Sequence, residues 1–280
     1  MTDSVTGQPV GLHTPMSRYD GCAPAAPPAR VVKIAAGREP RLVWHNEDAL
    51  TYEVGAAADR CFVKWSPNTS SLDLGAEADR MTWAGAFHPV PRVLARGTDD
   101  EGSWLVTAAL PGRCAVDPRW KDEPRTAVRA IGEGLRAMHD TLPAVGCPFS
   151  WAAELRVEES RRAAAAGLID PARDWQDEHR HLTIARALEL IADIPPVDKV
   201  VVCHGDSCAP NTLLTDDGRW SGHVDLGGLG LADRWADLAI ATWSTIWNYD
   251  PGWEAELLRA YGVAPDPDRT RYYRLLWDMG

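Results

Sequence analysis

Three polar residues in the second half of the chain hold a fixed spacing. Asp206 sits in His204-Gly205-Asp206, Asn211 follows five residues later, and Asp225 comes fourteen residues after that, within His223-Val224-Asp225-Leu226-Gly227. Two carboxylates and an amide in that order suit the transfer of a γ-phosphoryl group. Oxygen donors must hold metal ions against the phosphate charge, and a further carboxylate must orient or deprotonate the attacking hydroxyl. Asp206 fits the second role, and Asn211 and Asp225 are hard donors suited to Mg2+. The plainer alternative is that Asp and Asn beside Gly and Pro mark two turns. Coincidence of three spaced elements argues against it. His204 is expected to pack and hydrogen-bond within the loop and not to transfer a proton.

Such residues need a rigid frame. Val200–Cys203 reads as a short strand leading into the loop. Thr212–Leu214 and Gly222–Val224 read as a hairpin around Asp216-Asp217-Gly218, which sets the metal-holding residues at strand ends. Thr126–His139 carries apolar residues at Val128, Ile131, Leu135 and Met138, a helical spacing. Trp151–Gly167, His181–Ile194, Trp235–Trp247, Trp253–Tyr261 and Asp268–Met279 are also predicted helices. Upstream, β-type runs dominate: Val31–Ile34, Leu42–Trp44, Leu50–Val54, Cys61–Trp65 and Trp104–Ala108, with a helical stretch from Asp73 to Ala86. Residues 1–30, rich in Pro, Gly and Ala, read as a poorly ordered tail. Leu110-Pro111-Gly112 reads as a break between residues 31–110 and 111–280.

The run from Cys203 to Asn211, together with Ser221–Gly230 and Ala232–Ala239, resembles the antibiotic kinases of the aminoglycoside phosphotransferase family, in particular the branch acting on a 3'-hydroxyl. Similarity extends from about Lys64 to Leu276, and the first forty residues match nothing comparable. The resemblance implies an α+β fold of the two-lobed protein-kinase type. Its N-terminal lobe would be a five-stranded antiparallel sheet with one helix that binds nucleotide, and its C-terminal lobe mainly helical. It also implies ATP as phosphoryl donor, with GTP as the other possibility, and Mg2+.

A kinase of this kind needs a strand lysine for the phosphates, held by a helix glutamate. Lys64, in the strand Cys61–Trp65, precedes Glu77 by thirteen residues, the family's arrangement. Lys33 has no glutamate at helix distance after it. Adenine is expected against backbone near Ala108–Leu110, an inference from the family. The phosphate-covering loop, His45–Thr51, contains no glycine, unlike the glycine-rich loop of protein kinases.

Relatives bind polycationic drugs with acidic side chains in two helical regions and at the C-terminus. The first region corresponds to Asp174, Asp177 and Glu178. In the second, this chain has Trp243 and Trp247, and the relatives' terminal Asp-Glu-Phe-Phe becomes Trp277-Asp278-Met279-Gly280. Tryptophans on amphipathic helices are ordinarily core residues. A cationic ring packed on indole faces is the sharper expectation. It points to an aminoglycoside-type antibiotic inactivated by phosphorylation or, as the alternative, a tuberactinomycin peptide such as capreomycin or viomycin. A metabolic small-molecule kinase shares the same chemistry, but its match to the Cys208–Asn211 and Leu229–Asp237 runs is poorer. A non-catalytic binding protein would ordinarily lack one of Lys64, Asp206, Asn211 and Asp225.

Composition agrees. Among 280 residues, Asp and Glu outnumber Lys and Arg by 40 to 29, a net charge of −11. That balance disfavours nucleic acid and anionic membrane as partners and suits a cationic ligand. Six cysteines without metal-site spacing, no apolar run of membrane-spanning length and no signal pattern lead to a cytoplasmic expectation. Oligomeric state stays open between monomer and weak dimer.

Overall fold

The computed structural model describes residues 26–280, so residues 1–25 of the expected N-terminal tail lie outside the described part. The chain divides into two compact units. The first holds the described residues up to Ala78 together with Arg92–Ala109, and the second holds Asp79–Pro91 and Leu110–Gly280.

The first unit is built on five antiparallel strands: β1 (Arg41–His45), β2 (Leu50–Val54), β3 (Cys61–Pro67), β4 (Val93–Thr98) and β5 (Gly102–Ala108), in the order β1-β2-β3-β5-β4. The fifth strand is not the one the sequence suggested. Val31–Ile34 lies within helix α1 (Ala29–Ala35). Val31 and Ala35, four residues apart, are buried against Tyr52, Val54, Cys61, Val63 and Val106, while Val32 is exposed. A strand would bury Lys33 along with Val31 and Ala35, but Lys33 is exposed and Ile34 packs against the core, so burial at i, i+3 and i+4 marks a helix that overrides the β-branched preference. The unforeseen strand β4 is a mostly exposed edge without apolar alternation. A β-carbon on its Gly97 would come within 2.5 Å of the Trp104 ring, so glycine makes room for that indole. Successive β3 side chains alternate between faces, which turns Val63 into the α1-covered core and Lys64 to the other side. Helix α2 (Leu74–Ala84) follows β3.

The second unit contains two small sheets and eight helices among the described residues. Strands β6 (Arg113–Cys114), β8 (Thr212–Leu214) and β9 (Trp220–His223) form one sheet, and β7 (Val200–Cys203) pairs with β10 (Gly230–Asp233) in the other. The helices are α3 (Pro118–Asp122), α4 (Pro124–Thr141), α5 (Ala153–Ala165), α6 (Pro171–Asp174), α7 (Ile184–Ala192), α8 (Trp235–Tyr249), α9 (Glu254–Tyr261) and α10 (Pro267–Asp278). Asp170, Thr183 and Asp266 cap α6, α7 and α10 by accepting backbone N–H bonds. Helix α8 is buried from Trp235 through Thr245 and forms the centre of the unit. A β-carbon added to Gly132 on α4 would meet the Leu257 carbonyl of α9 at 2.6 Å, so that crossing requires glycine.

Strand pairing explains why the spaced polar residues converge. Gly230 of β10 is paired with Cys203, the last residue of β7. Thr212, the first residue of β8, is paired with His223, the last of β9. The segments 204–211 and 224–229 therefore leave the two sheets at shared ends.

Candidate active site

The loop after β7 is held from several sides. Gly205 has φ of 85°, and a β-carbon there would sit 2.2 Å from the Gly228 carbonyl oxygen, so no larger residue fits. The Asp206 amide donates to His204 Nδ1 at 3.2 Å, which leaves the ring proton on Nε2, donated to the Val224 carbonyl at 3.0 Å. His204 thus ties the loop to the residue before Asp225 and has no nitrogen left for proton transfer. The short turn Ala209–Asn211 brings the Asn211 amide back onto Asp206, with Nδ2 2.9 Å from its carbonyl oxygen and 3.0 Å from Oδ2. The Asn211 carbonyl accepts the Val224 N–H at 3.0 Å.

Asp206 Oδ1 is buried without a protein partner. Burial raises the Asp206 carboxyl above its ordinary value, and the Asp225 charge adds to the rise. Asp225 itself has φ of 62°, a left-handed conformation uncommon outside glycine, asparagine and aspartate and one that stores strain where a side chain must be aimed. Two carboxylates close enough to repel, beside an amide oxygen, form a donor set that a divalent cation would stabilise.

Beneath the loop lies Asp237 of α8, fully buried. Its Oδ2 accepts the His204 amide at 2.6 Å and His139 Nε2 at 2.9 Å, and its Oδ1 accepts the Gly205 amide at 3.0 Å. The Ser207 hydroxyl donates to the Asp237 carbonyl at 2.7 Å, and Tyr261 Oη lies 2.9 Å from His139 Nδ1. Burial opposes ionisation of Asp237, but the His139 bond and charge and the His204 amide outweigh it and hold the carboxyl below its usual range. Asp237 braces this loop, and His139 and Tyr261, which arrive from α4 and α9, carry no sequence signal. His139, Cys203 and Asp237 place ligand-type atoms within 4.8 Å of one another. Both Asp237 oxygens already accept hydrogen bonds, and Cys203 Sγ lies 3.3 Å from the Asp233 carbonyl. That trio serves as packing.

In the first unit, Lys64 Nζ lies 2.9 Å from Glu77 Oε2, both largely buried. The Ala108 N–H is used by the Arg92 carbonyl at 2.9 Å and the Ala109 N–H by the Arg60 carbonyl at 3.1 Å, so the next backbone donor belongs to Leu110. The glycine-free loop between β1 and β2 closes on a side chain: Asn46 Oδ1 accepts the Asp48 and Ala49 amides at 2.9 and 2.8 Å. Asparagine performs the turn for which glycine was missed.

The four expected substrate carboxylates differ in partner. Asp174 is bonded to Arg173 at 2.6 Å, Asp177 to Arg180 at 2.5 Å, and Glu178 lies 3.6 Å from Arg274. Asp278 is instead bonded to His179 at 2.6 Å and to the Gln176 amide at 3.1 Å. Trp243 is buried with Cys208, Ile240 and Trp277, and Trp247 packs against it with ring centroids 5.1 Å apart. Arg274 lies over the Trp243 ring at 5.3 Å. An open cavity of about 230 Å³ is lined by Arg173, Asp174, Trp277, Asp278 and Gly280.

Residues 39–273 match the family model described as the Phosphotransferase enzyme family. The chain belongs to this family. Among its relatives, an aminoglycoside 3'-phosphotransferase of Streptomyces fradiae is 40% identical over 221 residues, 75% of this chain and 81% of that protein. The streptomycin 3''-kinase of Streptomyces griseus is 34% identical over 259 residues, 86% of this chain and 88% of that protein. Solved phosphotransferases share the architecture. The crystal structure of an aminoglycoside 3'-phosphotransferase of type VIII superposes with a TM-score of 0.75 at 32% identity, covering 87% of this chain and 94% of that one. An aminoglycoside phosphotransferase of Streptomyces rimosus, solved with ADP and streptomycin, gives 0.71 at 29% identity, covering 89% and 95%. The phosphotransferase fold expected from the sequence is the one observed, with the five-stranded antiparallel sheet and a mainly helical remainder.

Proposed function

We propose that this phosphotransferase moves the γ-phosphoryl group of ATP to a hydroxyl of a cationic, aminoglycoside-type antibiotic and so confers resistance to it. The reading is carried by the Asp206 carboxylate, clamped at Oδ2 by Asn211 and buried without a protein partner at Oδ1, with the Asp225 charge nearby. Asp206 Oδ1 receives the substrate hydroxyl's proton or orients that hydroxyl for attack. Asn211 and Asp225 would hold Mg2+, which when bound neutralises charge on the phosphates. Lys64, fixed by Glu77, pairs with the α- and β-phosphates, and backbone near Ala108 and Leu110 meets adenine. Nucleotide binding is thereby assigned to residues 31–110, and catalysis and drug binding to 111–280. Asp174, Asp177, Glu178, Trp243, Trp247 and Asp278 are the drug-binding set. The relatives' names and the ADP and streptomycin held by one of them support this assignment. No helix among the described residues is long and apolar enough to cross a membrane, and all five described cysteines are free, in keeping with a place in the cytoplasm.

The test is Mg2+-dependent ADP release by the purified protein with kanamycin, streptomycin, hygromycin, capreomycin and viomycin, repeated with GTP. An aminoglycoside should stimulate release, and expression should raise the inhibitory concentration of the same drug. Release with none of the five would sink the reading; release with capreomycin or viomycin alone would transfer it to the peptide antibiotics.

A further inference from the structure

Helix α8 meets the catalytic loop at two levels. Asp237 takes the beginning of the loop, and Ser244, two turns further along the helix, takes its end. Ser244 is fully buried, and its Oγ accepts the Ala209 N–H at 2.9 Å. Asn248 donates from Nδ2 to the same Oγ at 3.1 Å and to the Ser244 carbonyl at 2.8 Å. A hydroxyl oxygen that accepts twice has only its proton left to give. Ser244 turns that proton to the sulfur of Cys208, which is buried beside Asp206. Hydroxyls within a helix ordinarily bond a carbonyl three or four residues back. Thr242 does so to the Leu238 carbonyl at 2.8 Å and Thr245 to the Thr242 carbonyl at 2.7 Å. Ser244, between them, is turned to the loop instead. Ala209 opens the turn Ala209–Asn211, so its N–H has no acceptor inside that turn.

We propose that Ser244 is a positioning residue for phosphoryl transfer. By holding the Ala209 N–H it fixes the turn at its first residue, and the last residue of that turn, Asn211, sets the Asp206 carboxylate. The inference rests on the reading of Asp206 as the group that meets the substrate hydroxyl, and adds to it a residue from outside the expected site. Without the Ser244 oxygen the buried Ala209 N–H is unpaired, which is costly. The turn then shifts toward another acceptor and carries the Asn211 amide with it. Such a shift moves the Asp206 carboxylate while leaving Lys64 and the drug-binding side chains unchanged, so its effect belongs in kcat and not in KM. Asp237 differs, because it binds the amides of both His204 and Gly205 and its loss releases the loop from its first residues.

Steady-state ADP release tests this in Ser244→Ala, Ser244→Cys and Ser244→Thr, assayed with kanamycin, streptomycin, hygromycin, capreomycin and viomycin and read on the drug of highest wild-type rate. The cysteine variant keeps the volume filled if alanine fails to fold, and its sulfur is a weak acceptor. Loss of the oxygen should lower kcat about tenfold or more, part of the hundredfold that a misplacement of about 1 Å can cost, with KM for ATP and for the drug unchanged. Threonine keeps the oxygen and should retain most of kcat. A residue that only held the fold would lower the thermal midpoint and leave kcat per folded molecule as it was. Wild-type kcat in the alanine and cysteine variants, a rise in KM in place of the fall in kcat, or a threonine variant as slow as alanine would overturn the role of Ser244 and leave the kinase reading intact. Absence of turnover in the wild-type protein with all five drugs would overturn both.

Discussion

Asn211 grips Asp206 twice, its side-chain nitrogen lying 3.0 Å from the carboxylate Oδ2 and 2.9 Å from the main-chain oxygen of the same residue. One amide therefore sets both the loop conformation and the carboxylate rotamer, and leaves Oδ1 without a protein partner.

Replacing Asp206 with Asn keeps the shape but removes the proton acceptor. Turnover should fall by about a thousandfold, within the range of general-base losses, while the thermal midpoint stays near wild type or rises, because a buried carboxylate raised by burial is removed. Steady-state rates paired with calorimetry check this. A variant within tenfold of wild type would remove Asp206 from the chemistry.

Asp237→Ala should act through stability. It leaves His139 and the amides of His204 and Gly205 without their acceptor inside the second unit. Losing one partner from a buried charged network costs about 3 kcal/mol or more. Urea unfolding should show that loss, with turnover reduced in whatever protein remains folded, because the catalytic loop rests on this carboxylate. A variant as stable as wild type would show that the loop is held by its β7 and β10 neighbours alone.

How far the sequence discloses this site follows from which constraints are local. Asp206, Asn211 and Asp225 are legible because their spacing reflects two strand pairings, Cys203 with Gly230 and Thr212 with His223, within one short stretch of chain. The Lys64–Glu77 pair is legible because a strand followed by a helix fixes its separation. His139, Tyr261 and His179 are not, since His139 and His179 each reach a carboxylate, and Tyr261 reaches His139, across about a hundred residues or more of chain. Helix α1 was misread for the same reason: Val31 and Ala35 acquire a common buried face only once the sheet exists. In the glycine-free loop 45–51, Asn46 closes with its side chain a turn that glycine would close by backbone freedom, which residue type alone does not disclose.

Lys64→Met should raise KM for ATP at least tenfold and leave KM for the drug unchanged. The ammonium sits 2.9 Å from Glu77 in a largely buried pair, so removing it costs the nucleotide a positive charge and leaves a carboxylate poorly compensated. Nucleotide titrations at saturating drug read the effect directly. Equal rises in both KM values would place Lys64 in general stability and not at the phosphates.

The histidine pair behind β9 should make stability fall on acidification. The Thr141 hydroxyl donates to the Ala137 carbonyl at 2.8 Å, so it accepts from His88 Nδ1 at 3.1 Å. His88 Nε2 must then accept from His223 Nδ1 at 2.9 Å, and a proton added there would face another N–H. Burial, then the charges of His204 and His139, lowers His88 to about 4, and burial first of all depresses His223 too. In the unfolded chain a histidine takes its proton near 6.5, so between there and about 4 the unfolded state binds more protons and stability drops as pH falls. For His88 alone the full loss is on the order of 3 kcal/mol. Urea unfolding at about pH 7.5 and about pH 5 should show a smaller loss for His88→Gln than for wild type, since glutamine does not titrate there. Equal losses in the two proteins would show that His88 takes its proton equally well folded and unfolded.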